Sequence, residues 1–410
     1  MTAKSIEYSQ RKTVRSWSLA FLLFLACHHA DDRTLTISGS SLGKEGELLT
    51  HQLARFEKEN PGVIVRIQET PDDATQRHQL YVQWLNAHVG TPDVLQLDVI
   101  WTAEFAAAGW ILSLDRFHPD TRDFFPVTIA ANRWRGSVYA MPWFVDAGML
   151  YWRSDLMPRA PRSLDELNAI ASSRKGVRDG IVWQGARYEG LVTVFSEFLG
   201  AFGGEILDSR GRVAVNSPAG VRALTAMRDQ IANNIAPRDV LTWHEEECRL
   251  AFQNGTAVFM RNWPYAADSL RSASESRVAN HFAIAPMPAA TGGHATAALG
   301  GSSLAINAWS DHAELAYRLV AFLAAPEQMR ERLLVAGEYP SRAVLVDDRA
   351  MHQIIDAAVP RPVTPMYAEI SDELQIALHR ALAGEADPKR ALDDAARRMQ
   401  HILDESGINE

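Results

Sequence analysis

Three short apolar strands separated by two amphipathic helical stretches follow residue 33, and that succession restricts the possible folds more than any other feature of the chain. Thr34-Leu35-Thr36-Ile37-Ser38 alternates as a strand does, and Leu49, Leu53 and Phe56 then recur at helical spacing until Asn60-Pro61-Gly62 stops them. Val63 to Ile67 reads as the second strand. Leu80-Tyr81, Trp84-Leu85 and Val89 mark a second helix, and Gly90-Thr91-Pro92 turns the chain into a third strand over 93–97. A strand–helix–strand–helix–strand run implies a parallel sheet with helices on its faces, because each crossover helix must pack back onto the sheet it leaves. Ligands of such sheets sit beyond the carboxyl ends of the strands, where Ser40-Ser41 and Asp98 fall.

The pattern changes between Arg133 and Arg153 to short extended pieces, 137–146 and 149–152, as expected where a chain crosses between lobes, with Pro142 marking the crossing. Helical segments then alternate with turns such as Phe202-Gly203-Gly204. A second strand-rich interval, from Phe282 through Gly292-Gly293 and Gly300-Gly301 to Leu304-Ala305-Ile306, reads as the return to the first lobe. The tail is helical, with Leu374, Ala377, Leu378, Ala381 and Leu382 on one face and Ala391, Leu392, Ala395, Met399 and Leu403 on another. At 410 residues the chain exceeds one ordinary domain. Two α/β lobes are therefore expected, one of residues 28–142 with 296–338 and one of residues 143–295 with 339–410.

The first 27 residues read as an export signal: Lys4, Arg11, Lys12 and Arg15 precede an apolar run from Leu19 to Ala26 that is too short to span a membrane stably. Phe24-Leu25-Ala26-Cys27 resembles a bacterial lipobox, which would make Cys27 a lipidated anchor, with plain cleavage of a soluble periplasmic protein as the alternative. Only Cys248 remains beyond it, so no internal disulfide is available and the apolar 47% must hold the fold. The net charge of −9, from 41 bases against 50 acids, argues against nucleic acid as a partner. Metal and cofactor chemistry are unsupported, since the sequence has no HExxH, paired cysteines or phosphate loop.

Phe259-Met260-Arg261-Asn262-Trp263-Pro264-Tyr265 brings a guanidinium, an amide, an indole and a phenol together around a proline. That mixture suits a sugar, whose hydroxyls want planar donors and acceptors while its C–H faces want a flat ring; a core plug is the alternative. Asp98, near Trp101, and Asp146, near Trp143, are carboxylates able to take two hydroxyls each, although acids also favour helix N-termini. Glu245 lies in an acidic run that ordinarily makes a solvated face, and Arg361 stands among prolines that could aim its guanidinium or merely form a surface linker.

These segments, with Leu97–Ala106, Tyr139–Gly148, Leu299–Ile306 and Arg361-Pro362 with Pro365 and Tyr367, resemble the extracellular solute-binding proteins of bacterial ABC sugar importers, specifically the trehalose/maltose-binding branch. The resemblance spans nearly the whole chain after the leader. It implies a two-lobed α/β periplasmic-binding-protein fold joined by several hinge crossings, a sugar held in the cleft between lobes, and delivery to a membrane permease by hinge closure. It also implies a periplasmic monomer without cofactor or catalysis. Carried over residue by residue, it places Glu45, Asp98 and Asp146 as hydroxyl acceptors, Trp263 as the stacking platform, Gly300 and Gly301 as backbone contacts, Arg361 as a donor fork, and Glu245 as an additional contact. Many relatives have an aromatic after the paired glycines where this chain has Ser302, which bears on the identity of the disaccharide. An exported glycoside hydrolase is the competing class, because the same carboxylates would serve as acid and base if they lay roughly 5–9.5 Å apart.

Overall fold

The structure, a computed structural model, describes residues 33–39, 43–71, 73–272 and 274–407. The leader, Cys27 and Ser40-Ser41 lie outside the described residues. β1 (Thr34–Gly39), α1 (Gly43–Glu59), β2 (Ile64–Glu69), α2 (Ala74–Asn86) and β3 (Val94–Asp98) form the opening unit, with β2 and β3 both parallel to β1. Its helices follow the apolar spacing, with Leu49, Leu53 and Phe56 of α1 and Tyr81 and Leu85 of α2 buried, but α2 ends at Asn86 and leaves Val89 exposed beyond it. Asp73 caps α2 by accepting the Gln76 amide at 2.8 Å.

α3 (Thr102–Ala107), α4 (Pro126–Ala131) and the small hairpin β4 (Arg133–Trp134) with β5 (Ser137–Val138) lead into β6 (Ala140–Ala147). The chain then builds a second sheet region with β7 (Met149–Arg153), α5 (Leu164–Ser173), β8 (Asp179–Val182), α6 (Glu189–Ala201), α7 (Pro218–Ala232) and α8 (Glu245–Gln253). β9 (Ala257–Asn262), α9 (Tyr265–Ser272) and β10 (Phe282–Ala285) complete it. β11 (Ala297–Ile306), α10 (Ala313–Leu323), α11 (Pro326–Ala336), β12 (Tyr339–Pro340), α12 (Arg349–Asp356) and β13 (Ala358–Val359) return to the first sheet, and α13 (Tyr367–Leu382) and α14 (Pro388–Glu405) close the chain.

The larger sheet has seven strands in the order β12-β6-β11-β3-β1-β2, with β13 paired to β11, and the smaller has four in the order β10-β7-β9-β8. The architecture is α/β with two sheets, each carrying its own buried apolar cluster. The sequence places the crossing at Pro142, but Pro142 stands within β6, where its missing N–H coincides with the register shift between Ser302 and Ser303. The chain passes from one sheet to the other at Gly148, between β6 and β7. A Cβ there would lie 1.6 Å from Glu197 Oε1 and 2.4 Å from an Arg261 nitrogen, so glycine is what lets a buried ion pair run beneath the crossing. The chain also stays with the larger sheet beyond residue 338, through β12 and β13. Two-residue strands carry no periodicity, so sequence patterning does not reveal them.

The two helical faces of the tail are buried as their spacing requires, with α13 and α14 packed against the α6–α7 side. Among the described residues no helix is long and apolar enough to cross a membrane.

Candidate functional site

Between the two sheets lies a cleft of about 840 Å³, lined from both sides. The larger sheet side contributes Glu45 from the first turn of α1, Gln96 and Asp98 from β3, Asp146 from β6, and Gly300, Gly301 and Ser302 from β11. The smaller side contributes Glu189 and Gly190 at the start of α6, Glu245 at the start of α8, and Trp263 after β9. Arg361, just past β13, completes the wall. All eight residues singled out in the sequence as sugar contacts, Glu45, Asp98, Asp146, Glu245, Trp263, Gly300, Gly301 and Arg361, thus line one space. Trp101 does not: it is buried in an aromatic stack with Tyr81 and Phe105, behind the wall that Asp98 faces.

Trp263 is held from several directions and still faces the cleft. Its backbone N–H donates to Asn262 Oδ1 at 2.8 Å, its carbonyl accepts from the Tyr151 hydroxyl at 2.6 Å, and its indole N–H donates to Glu245 Oε1 at 3.3 Å. The Arg261 guanidinium lies 4.0 Å from the ring centroid, a cation packed on the indole. Arg261 is wholly buried and is itself held by Glu197, to which its Nε donates at 2.9 Å and its terminal nitrogen at 2.5 Å. Burial by itself would depress the Arg261 pKa, but Glu197 more than offsets this and keeps it raised. The paired Arg and Asn before the tryptophan therefore serve to present it.

The glycines of β11 act through what they leave out. A Cβ on Gly300 would lie 3.0 and 3.2 Å from two ring carbons of Trp263 and 3.3 Å from the Asp146 Cβ, so the bare strand is what admits the ring. Gly301 has φ +104° and a Cβ there would stand 2.3 Å from the Phe144 carbonyl oxygen, a position closed to any other residue. Beside them Ser302 accepts a hydrogen bond from Gln96 Nε2 at 3.2 Å, giving a polar pair at that wall.

Of the three glutamates in the acidic run only Glu245 meets the tryptophan. Glu246 is taken by Arg249 and by the Tyr265 hydroxyl at 3.0 Å, and Glu247 accepts the His244 amide at 2.9 Å to cap α8. Asp98 accepts the Ile100 amide at 3.2 Å and faces Arg361, whose guanidinium donates to it at 3.4 Å, to the Leu299 carbonyl at 3.2 Å, and to Glu189 at 2.6 Å. Burial would lower the Arg361 pKa, and the carboxylates of Asp98 and Glu189 overcome it to hold the group above its ordinary value. Asp146 is pushed up to about 7, first by burial of its carboxyl and then by the charges of Glu45 and Asp98. Glu338, deeper in the wall and paired with Arg332, is pushed up to about 8 by burial, with Glu45 and Asp146 adding to the rise and Arg332 opposing it.

Eight carboxylates face this space against five basic side chains, and Lys44, Arg249, Arg332 and Arg361 each already hold an acid. The cleft therefore offers acceptors to hydroxyl donors and repels anions. Sequence reasoning misses Glu189, which stands in an unremarkable helical run and acquires its meaning only through Arg361. It also misses Gln96, which faces the cleft because β3 alternates toward it. Among the described residues no cluster of three metal-ligating side chains occurs.

Residues 39–330 match the family described as bacterial extracellular solute-binding protein. A probable ABC transporter-binding protein of Deinococcus radiodurans is 32% identical over 405 residues, covering 92% of this chain and 96% of that one. The maltose-bound MalE3 of T. maritima superposes with a TM-score of 0.84 at 38% identity, covering 90% of this chain and 100% of that one. An ABC transporter solute-binding protein of Thermotoga lettingae bound with α-D-tagatose reaches a TM-score of 0.80 at 23% identity, over 90% and 99% of the two chains, and speaks to the fold alone.

Proposed function

The chain belongs to the bacterial extracellular solute-binding proteins, the sugar-capturing components of ABC importers with two lobes around a ligand cleft, and from that premise we propose that it captures a glucose disaccharide, trehalose or maltose. The convergence of Trp263 with the carboxylates of Asp98, Asp146 and Glu245 in one cleft carries this reading. The indole takes an apolar sugar face. Asp98, Asp146 and Glu45 accept hydroxyl hydrogens, with Glu245 as a further contact; Arg361 donates to ring or hydroxyl oxygens, and the Gly300 and Gly301 backbone supplies the remaining contacts. The surplus of acids disfavours uronic acids and sugar phosphates. The likeness to the maltose-bound MalE3 of T. maritima supports a glucose dimer, and the polar Gln96–Ser302 pair supports a ligand with hydroxyls rather than a bare face at that end.

Closure follows from the two-sided lining. A sugar that touches both walls binds the shut cleft better than the open one, and moving a mostly open population to a mostly closed one takes about 5.5 kcal/mol of differential binding. A few charge-assisted hydrogen bonds and one stacked ring supply energy of that order. The lobes hinge at Gly148 and the other crossings, and the closed form is what the permease reads. The reading makes it a periplasmic monomer, anchored if Cys27 is lipidated and soluble if the leader is simply cleaved. Calorimetry against a panel of mono- and disaccharides decides the ligand: saturable binding of trehalose or maltose without turnover is expected, binding only of an unrelated solute refutes the disaccharide, and glucose release shows a hydrolase instead.

A further inference from the structure

We propose that Glu189 is a positioning residue of the cleft: it holds the Arg361 guanidinium away from Asp98 and so keeps the Asp98 carboxylate open to ligand hydroxyls. The consequence for sugar affinity rests on the proposed sugar site, whereas the geometry stands without it.

Arg361 is 6% exposed and stands between two carboxylates of different origin, Asp98 at the end of a strand of the larger sheet and Glu189 at the first position of α6. A buried guanidinium facing one carboxylate ordinarily takes it in a two-pronged pair at about 2.7–2.9 Å. Here the contacts are unequal. Glu189 is reached at 2.6 Å, whereas Asp98 is reached by one nitrogen at 3.4 Å, and that nitrogen is also drawn to the Leu299 carbonyl at 3.2 Å. Glu189 wins because it cannot move: the Tyr367 hydroxyl donates to it at 2.6 Å and the Ser371 hydroxyl at 2.5 Å, from successive turns of α13. Three donors occupy most of the lone-pair positions of a carboxylate, so Glu189 itself has little left for a ligand. Among the described residues the Asp98 carboxylate carries a stretched guanidinium contact and one amide. Each of the two acids thus has a separate task, one to hold the arginine and one to accept from the sugar.

Replacing Glu189 by glutamine keeps its shape and the oxygen that accepts from Tyr367, turns the other into an amide N–H that donates to the Ser371 hydroxyl, and removes the charge that competes for Arg361. The unliganded crystal structure of Glu189→Gln is expected to show both terminal nitrogens of Arg361 on Asp98; an unchanged, stretched contact overturns the proposal. In calorimetry with the sugar the wild type binds, Glu189→Gln is expected to lose about tenfold in affinity, one charge-assisted hydrogen bond's worth. In an Asp98→Asn background, where there is no carboxylate to fall onto, the same substitution is expected to change affinity by less than about twofold. Losses that simply multiply overturn the proposal. A urea midpoint measured for each variant separates positioning from stability, since a merely structural Glu189 lowers the midpoint equally in both backgrounds and leaves the Arg361–Asp98 contact unaltered. Tyr367→Phe, which loosens Glu189 without removing it, is expected to fall between, and serves if the glutamine variant folds poorly. A wild type that binds no sugar defeats the proposed function, and the crystallographic comparison still decides the positioning.

Discussion

Adding a single methyl group at Gly300 tests whether Trp263 is a positioned platform. Alanine at 300 would stand 3.0 and 3.2 Å from two ring carbons where ordinary contact needs about 3.5–4.0 Å, so the indole must recede by roughly half an ångström. Its retreat is blocked by Arg261 at 4.0 Å from the ring centroid, a residue locked by Glu197 beneath the Gly148 crossing. The ring therefore slides along its own plane, and the indole N–H bond to Glu245, already 3.3 Å, is the interaction that breaks. Losing that bond and part of the sugar-stacking contact costs about 1–2 kcal/mol, which is roughly 5–30-fold in affinity. Gly300 does not have a positive φ, so the backbone accepts alanine, and overpacking is expected to lower stability by about 1 kcal/mol. Calorimetry with the best sugar, alongside differential scanning calorimetry, reads both effects. Wild-type affinity in a folded Gly300→Ala protein would refute the claim that the bare strand admits and fixes the ring. Gly301→Ala is the contrasting control: at φ +104° and 2.3 Å from a backbone oxygen it is expected to destabilise severely or not fold.

Trp263→Ala removes the ring itself and is expected to weaken sugar binding by roughly 30-fold or more and abolish sugar-dependent fluorescence change; unchanged affinity would sink the assignment. Arg361→Ala leaves Glu189 and Asp98 facing each other without their cation, so a stability loss of about 3–5 kcal/mol in urea unfolding is expected together with lost binding. The pKa of Asp146, raised to about 7, lies above its unfolded value, so in the folded protein it binds a proton that the unfolded chain has released. Its contribution is fully present below about pH 4 and is lost as pH rises through about 7. The melting temperature of Asp146→Asn relative to wild type should therefore climb from pH 5 to pH 8, and a flat difference contradicts the shift. Lys44 and Asp268 meet at 2.9 Å across the cleft but are largely solvated, so Lys44→Ala should change affinity by less than about fivefold.

The opening of the fold was legible because a strand's twofold period and a helix's 3.6-residue period are local. Thr34 to Ile37, the α1 stripe of Leu49, Leu53 and Phe56, and the two faces of the tail all appear as the spacing predicts. The run from Phe259 to Tyr265 divides between its two readings: Phe259 to Asn262 are buried in β9, whereas Trp263 and Tyr265 line the cleft. Long-range order was not legible. Pro142 looked like a break, but it sits on a bulge in a continuous strand, and the true change of sheet falls at Gly148, whose need for glycine comes from an ion pair formed by residues far along the chain.

The sequence by itself determined the class of fold, the alternation of its elements and the chemical types available for a sugar site, since these depend on each residue and its near neighbours. The tertiary structure decided which residues share the cleft and what each is free to do there. Glu245 meets Trp263, while Glu246 is held by Arg249 and Tyr265 at the cleft's edge and Glu247 caps α8. Arg261 lies under the indole rather than on a ligand, and Glu189 takes Arg361 from Asp98. Those outcomes are contests between charges brought together from distant segments across two sheets, and only the packed chain sets the distances that settle them.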